Sequence, residues 1–285
     1  MNPATKILFG TLFAAVALAV GNVIAKQSFS DSPSEVLPSH ECVDSLAVAP
    51  SGDLRHTVVR QGTPLAASVS DFITLERAGY ILCYNPSTRL PVWVAWHLPA
   101  AHTDGAYSRK GLKFAEDEDV PVPRATNMDY MNSGYDRGHI CPSGDNRWSE
   151  EAQIQSFLYT NCCPQLHNLN AGDWGELEKR CRLWAQRYGD IYIVSGPLLF
   201  NKKHKTIGRN KVVVPEAFYK VVLCLRGTPK AIGFIYRNEA NNKRMSSYVN
   251  TVDDVERLTG LDFFSALPDD VEQRVEAVAN LNDWE

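Results

Sequence analysis

A chain of 285 residues that is 44% hydrophobic and 22% charged can bury one sizeable core, which excludes a disordered or fibrous protein. Its 29 basic and 33 acidic residues give a formal charge of -4. That balance excludes a protein that holds nucleic acid by bulk positive charge, though not one with a local basic groove.

In chain order, Lys6 precedes an apolar run from Ile7 to Val20, and Val23-Ile24-Ala25 supplies a processing site before Lys26. The run is short for a membrane span and is weakened by Gly10 and Gly21. Residues 1–25 are therefore expected to be a cleaved export signal. That places the mature chain in a periplasm or outside the cell, with no stable membrane partner. The alternative is an uncleaved N-terminal anchor. Residues 26–74 carry stretches such as Asp31-Ser32-Pro33-Ser34 and read as a flexible lead-in, and residues 75–285 read as one folded domain. Seven cysteines (Cys42, Cys83, Cys141, Cys162, Cys163, Cys181 and Cys224) leave at least one thiol unpaired within a chain. An oxidising compartment would permit a bridge between Cys141 and Cys162 or Cys163. No two cysteines have the CxxC spacing of a zinc site.

Strands are expected at Tyr80–Tyr84 and Val92–Leu98, joined as a hairpin through Asn85-Pro86-Ser87-Thr88. Residues 101–134 read as irregular. Ser149, followed by Glu150 and Glu151, opens a helix. After Asn170, the recurrence of Trp174, Leu177, Cys181, Trp184 and Tyr188 marks a helix with one buried face, capped by Gly189. Strands follow at Ile191–Val194, ended by Ser195-Gly196-Pro197, then at Lys211–Val214, Ala217–Leu225 and Ala231–Tyr236. Two short helices close the chain, near Val252–Leu258 and Asp269–Ala279. The order describes an α+β protein with a mostly antiparallel central sheet and flanking helices.

The chemistry gathers around Tyr135-Asp136-Arg137-Gly138-His139. His139 titrates near neutral pH and is a candidate general base, and Arg137 beside it offers positive charge. Taken alone, each residue has a plainer reading: a structural histidine, a solvated arginine. Asn170, Trp174 and Glu178 are spaced by four and four, a stripe along one helix face. The carbonyl of Asn170 suits a hard cation, and Glu178 could hold that cation's water. Their alternatives are a helix N-cap for Asn170 and an ion pair with Lys179 or Arg182 for Glu178. Trp174 reads as core. Asn161 reads as a turn amide, Arg109 as a phosphate clamp or a solvated loop residue. Lys202-Lys203-His204-Lys205, with Arg209 and Lys211, is the strongest basic patch.

Three ordered blocks carry a resemblance: Asp136-Arg137-Gly138-His139, then Asn161-Cys162-Cys163-Pro164-Gln165, then Leu169-Asn170-Ala171-Gly172-Asp173-Trp174 with Glu178. Together, and over about residues 75–265, they resemble the DNA/RNA non-specific endonucleases, which include secreted bacterial nucleases and mitochondrial endonuclease G. Arg124-Ala125-Thr126-Asn127 with Asp129-Tyr130 resembles the endonuclease G branch. The resemblance implies a ββα-metal active-site motif over residues 75–285 as a nuclease domain. It also implies one Mg2+, for which Mn2+ can substitute, and DNA and RNA as substrates. It assigns His139 as general base, Asn170 as metal ligand and Glu178 as holder of metal-bound water. Asn161 becomes a supporting amide, Arg137 the arginine of the histidine motif and Arg109 a phosphate contact. It extends to a homodimer. Cys162-Cys163 departs from the small or apolar residues usual there. Two other classes compete: a non-catalytic nucleic-acid-binding protein on the same fold, and a phosphodiesterase acting on small nucleotides in a narrow pocket.

Overall fold

The computed structural model describes Arg55, Val59–Arg60, residues 72–240 and residues 243–285. The segment expected to be a signal, and most of the lead-in, lie outside the described residues.

Thirteen strands and five α-helices alternate irregularly among the described residues. β1 (Val59–Arg60), β2 (Ile73–Glu76), β3 (Ile81–Asn85) and β4 (Leu90–Pro99) come first, then α1 (Asn127–Tyr130), β5 (Asp136–His139) and α2 (Glu150–Gln155). β6 (Cys162–Gln165), α3 (Trp174–Tyr188), β7 (Asp190–Leu198), β8 (Thr206–Ile207) and β9 (Val212–Val213) follow. β10 (Ala217–Cys224), β11 (Lys230–Arg237), β12 (Val249–Asn250), α4 (Val252–Thr259), β13 (Leu261–Asp262) and α5 (Asp269–Glu276) complete the chain.

Seven strands form one sheet in the order β12-β11-β10-β7-β4-β3-β2, every neighbouring pair antiparallel. This is the expected α+β architecture. It has helices on both faces. Side chains alternate along a strand, and the fully buried β10 feeds two cores. Phe218 and Val222 join Trp96, Trp174 and Trp184 under α3, while Tyr219, Val221 and Leu223 join Val252, Val255 and Val271 under α4 and α5. β1, inside the stretch read as lead-in, pairs with β13.

The helix after Ser149 forms as expected: Ser149 Oγ accepts from Ala152 N at 3.4 Å. α3 also forms, with Trp174, Leu177, Cys181 and Trp184 buried and Gly189 at φ 93° ending it. Three expectations are corrected. β7 does not stop at Val194. It is the central strand, paired with β4 as far as Val94 opposite Ser195 and with β10 as far as Leu198 opposite Ala217. Gly196 permits this, since a Cβ there would press on Val92 O and the Tyr219 ring. The segment 101–134 contains α1, closed by a capping box between Thr126 and Asp129. The expected bridge is absent: Cys141, Cys162 and Cys163 are free and buried, as are Cys181 and Cys224. Burial pushes the Cys181 thiol up to about 12 and raises Cys162 and Cys163 further, so these sulfurs stay protonated and unreactive.

Candidate active site

β5 and β6 form a short antiparallel ribbon with Gly138 opposite Cys163 and His139 opposite Cys162. A Cβ at Gly138 would collide with the Gln165 side chain, so only glycine lets the ribbon close. Just beyond His139, Asn161 fastens the chain. Its Oδ1 accepts from Cys141 N at 2.9 Å, and its Nδ2 donates to Cys141 O at 2.8 Å and Ser156 O at 2.9 Å. Fully buried and fully bonded, Asn161 does not line the cleft. It fastens the strand that carries His139, as a supporting amide would.

Five of the residues singled out in the sequence meet at one open cleft of about 730 Å³: Arg109, Arg137, His139, Asn170 and Glu178. His139 is wedged between Phe114, with ring centroids 5.0 Å apart, and the edge of Phe157 at 4.9 Å. Its Nε2 is buried without a hydrogen bond. Burial, and secondarily the charge of Arg109, lower its pKa to about 3. The imidazole is therefore neutral at physiological pH and free to accept a proton.

Arg137 is held rigid. Its Nη2 donates to Asn127 Oδ1 at 2.6 Å, its Nε to the Tyr159 hydroxyl at 3.2 Å, and its guanidinium lies 5.4 Å from the Tyr130 ring centroid. Asn127 is on α1, so the helix missed in the sequence helps to hold this arginine. Arg109 is exposed at the rim, its guanidinium 5.4 Å from the Phe157 ring centroid.

Asn170 is not on the helical stripe that its spacing suggests. It sits in a wide turn over Leu169–Asp173, where Gly172 (φ -98°, ψ -115°) breaks the path before α3 begins. Nor is it an N-cap, since Asp173 occupies that position. Its Nδ2 donates to Asp136 Oδ2 at 2.9 Å, and the same oxygen meets His167 Nδ1 at 2.8 Å. The amide orientation is thereby fixed, and no hydrogen bond among the described residues engages its carbonyl oxygen. Such a preset hard oxygen, beside the Glu178 carboxylate, fits a divalent cation that keeps most of its water.

Glu178 makes neither alternative ion pair. Lys179 is bonded to Glu176 at 2.6 Å and Arg182 to Asp145 at 2.8 Å. Burial raises the Glu178 carboxyl to about 7, against the lowering pull of Lys220. Lys220 was not singled out in the sequence. It is 1% exposed, its Nζ lying 4.6 Å from the Trp96 ring centroid and 4.7 Å from that of Trp174 with no hydrogen bond. The available signal was a lone lysine inside the apolar run of β10. The basic patch flanks the β8–β9 hairpin: Lys202, Lys203, Lys205, Arg209 and Lys211 are exposed before β8 and on the turn, while Ile207, Val212 and Val213 are buried. Asn210 anchors the hairpin to Asp129 at 2.9 Å, and Lys205 lies over the Tyr135 ring beside the histidine motif.

The profile of the DNA/RNA non-specific endonuclease family matches residues 62–270, wider than the stretch from 75 to 265. Nuclease EXOG, mitochondrial, of Xenopus laevis is 33% identical over 281 residues, covering 93% of this chain and 74% of its own length. Endonuclease G, mitochondrial, of Bos taurus is 32% identical over 229 residues, covering 75% of each chain. Among solved structures, the EndoG/EndoGI complex superposes with a TM-score of 0.66 at 29% identity, covering 68% of this chain and 86% of that one. Both sequence relatives are named as mitochondrial, so the periplasmic or secreted location and the export signal expected from residues 1–25 gain no support from them. No described helix is long and apolar enough to cross a membrane. The match extends over most of the chain and includes the ribbon, the wide turn and α3: the chain belongs to the DNA/RNA non-specific endonuclease family.

Proposed function

We propose that the protein is a metal-dependent endonuclease that hydrolyses phosphodiester bonds of DNA and RNA with little sequence preference. The observation that carries this reading is the convergence of His139, Arg137, Arg109, Asn170 and Glu178 on one open cleft. The relatives' names, nuclease and endonuclease, support the same reaction class. Neutral His139 takes a proton from the water that attacks phosphorus. Arg137, immobilised by Asn127 and Tyr159, faces the growing charge of the phosphate with little reorganisation, and Arg109 adds charge from the rim. Asn170 offers its carbonyl oxygen to Mg2+ and Glu178 accepts hydrogen bonds from the ion's water shell. When bound, the ion supplies positive charge to the leaving 3'-oxygen. The products carry 5'-phosphate ends. The basic residues flanking the β8–β9 hairpin, whose turn is tethered to α1 through Asn210 and Asp129, would track the nucleic-acid backbone. The nuclease domain takes in residues 75–285 together with β1 and the start of β2, which pair with β13 and β3, and residues 1–25 act as a signal peptide or N-terminal anchor.

The test is incubation of supercoiled plasmid and of total RNA with purified protein and Mg2+ or Mn2+, with and without chelator. Metal-dependent nicking of both supports the reading. Absence of cleavage of either polymer with every divalent ion tried overturns it.

The two shifted groups also set the pH profile. With its pKa near 3, His139 stays neutral across the working range and contributes no limb there. Glu178, raised to about 7, is protonated below that pH and ionised above it. Catalysis that needs its carboxylate therefore falls as pH drops through about 7. Glu178→Gln is expected to flatten this acid limb at a reduced plateau of about 10–100-fold, the usual cost of losing a group that orients a metal's ligands. Lys220→Met removes the largest influence holding Glu178 ionised, so its limb shifts to higher pH. A wild-type profile that is flat from pH 6 to 8 would contradict the assignment.

A further inference from the structure

The face of the sheet under α4 and α5 carries a second constellation, separate from the cleft. Asp253 and Glu256 project from α4 and Glu276 from α5, and one oxygen of each lies within 4.8 Å of the others. Asp253 is exposed, but Glu256 and Glu276 are only 7% and 5% exposed. Glu256 Oε1 accepts from Phe263 N at 2.7 Å. Glu276 Oε1 is sealed from solvent and makes no hydrogen bond, as is Glu272 Oε1 on the preceding turn. The nearby cations are engaged elsewhere: Arg257 with Asp254 at 2.6 Å, Arg274 with Asp270 at 4.0 Å. No ion pair among the described residues reaches Asp253, Glu256 or Glu276. Burial, followed by the neighbouring carboxylates, pushes Glu276 up to about 9.

A buried carboxylate oxygen without a donor is costly unless something of opposite charge meets it. We propose that Asp253, Glu256 and Glu276 bind a divalent cation of the Ca2+ class that ties α4 to α5, at a site distinct from the catalytic cleft. The donors are all hard oxygens. Ca2+ takes irregular sets of six to eight oxygens at about 2.3–2.6 Å, whereas Mg2+ demands near-ideal octahedral geometry at about 2.0–2.1 Å, which three carboxylates on two helices do not preset. Exposed Asp253 leaves one side open to water, which completes the coordination of an ion that takes six to eight ligands. Glu276 Oε1 then has the partner that no protein group supplies. This site does not depend on the nuclease assignment.

The experiment is Ca2+ titration of the full chain at pH 7.5, read by calorimetry and by melting temperature against a chelator control. It uses wild type, Glu276→Gln, Asp253→Asn and, to remove the cleft ligand, Asn170→Ala. Expected is a Ca2+-dependent rise in melting temperature in wild type and Asn170→Ala. That rise disappears in Glu276→Gln, and Ca2+ affinity falls at least tenfold in both carboxylate variants. Glu276→Gln keeps wild-type cleavage with Mg2+. A Ca2+ response that survives Glu276→Gln, or one lost in Asn170→Ala, overturns the proposal. So does the absence of any response in wild type, in which case protons shared within the cluster neutralise it.

Discussion

His139→Ala is expected to lower kcat/KM on plasmid DNA by about a hundred- to ten-thousand-fold, the range supplied by a positioned general base. The variant is expected still to bind DNA, because the arginines proposed to meet the phosphate do not depend on His139: Arg137 is held by Asn127 and Tyr159, and Arg109 stands at the rim. The substitution leaves a slot between Phe114 and Phe157 of the size of the lost ring. Added imidazole should enter it and restore part of the rate, and the restored rate should follow the neutral form of imidazole as pH varies. A structural histidine predicts otherwise: a fall in melting temperature accompanying the loss, and no rescue. Full activity in His139→Ala would remove the residue from the mechanism.

Asn170→Ala is the second large effect. The residue offers one carbonyl oxygen, and its amide is locked by Asp136. Removing it deprives the cleft of that preset neutral oxygen. The expected loss is about 10²–10³-fold at fixed Mg2+, comparable with removing one preorganised group from a transition state. Part of that loss should be recovered as Mg2+ is raised, because Glu178 and Asp136 still attract a cation. The measurement is the Mg2+ dependence of nicking, wild type against variant. An unchanged midpoint would sink Asn170 as the ligand. Asp136→Asn is the informative companion, since it frees the Asn170 amide to rotate without deleting its oxygen.

The sheet was legible because its strands obey local rules: apolar runs bounded by turn residues at Asn85-Pro86 and Pro215, and a helix whose tryptophans recur every three or four positions. The residues of the site were legible as types, and their convergence is what the fold adds. Two features escaped for physical reasons. The wide turn at Leu169–Asp173 displaces Asn170 from a regular helical stripe, and spacing alone cannot report a backbone that departs from 3.6 residues per turn. The buried Lys220 lies in a strand whose apolar pattern dominates, and only the tertiary neighbours Trp96 and Trp174 explain how a lysine is tolerated there. The expected Cys141 bridge failed because nearness to one site in sequence says nothing about sulfur geometry. In the fold, Cys141 Sγ accepts from Asn146 Nδ2 at 3.3 Å, and Cys162 Sγ points to Leu158 O at 3.5 Å.

The free sulfurs bear on how such a chain travels. Cys141, Cys162, Cys163, Cys181 and Cys224 enter the core as thiols, so these five positions reach their native form without an electron acceptor and come apart without a donor. A polypeptide that must thread through a membrane pore as an extended strand and collapse again on the far side would need no thiol-exchange enzyme for these residues at either mouth of the pore.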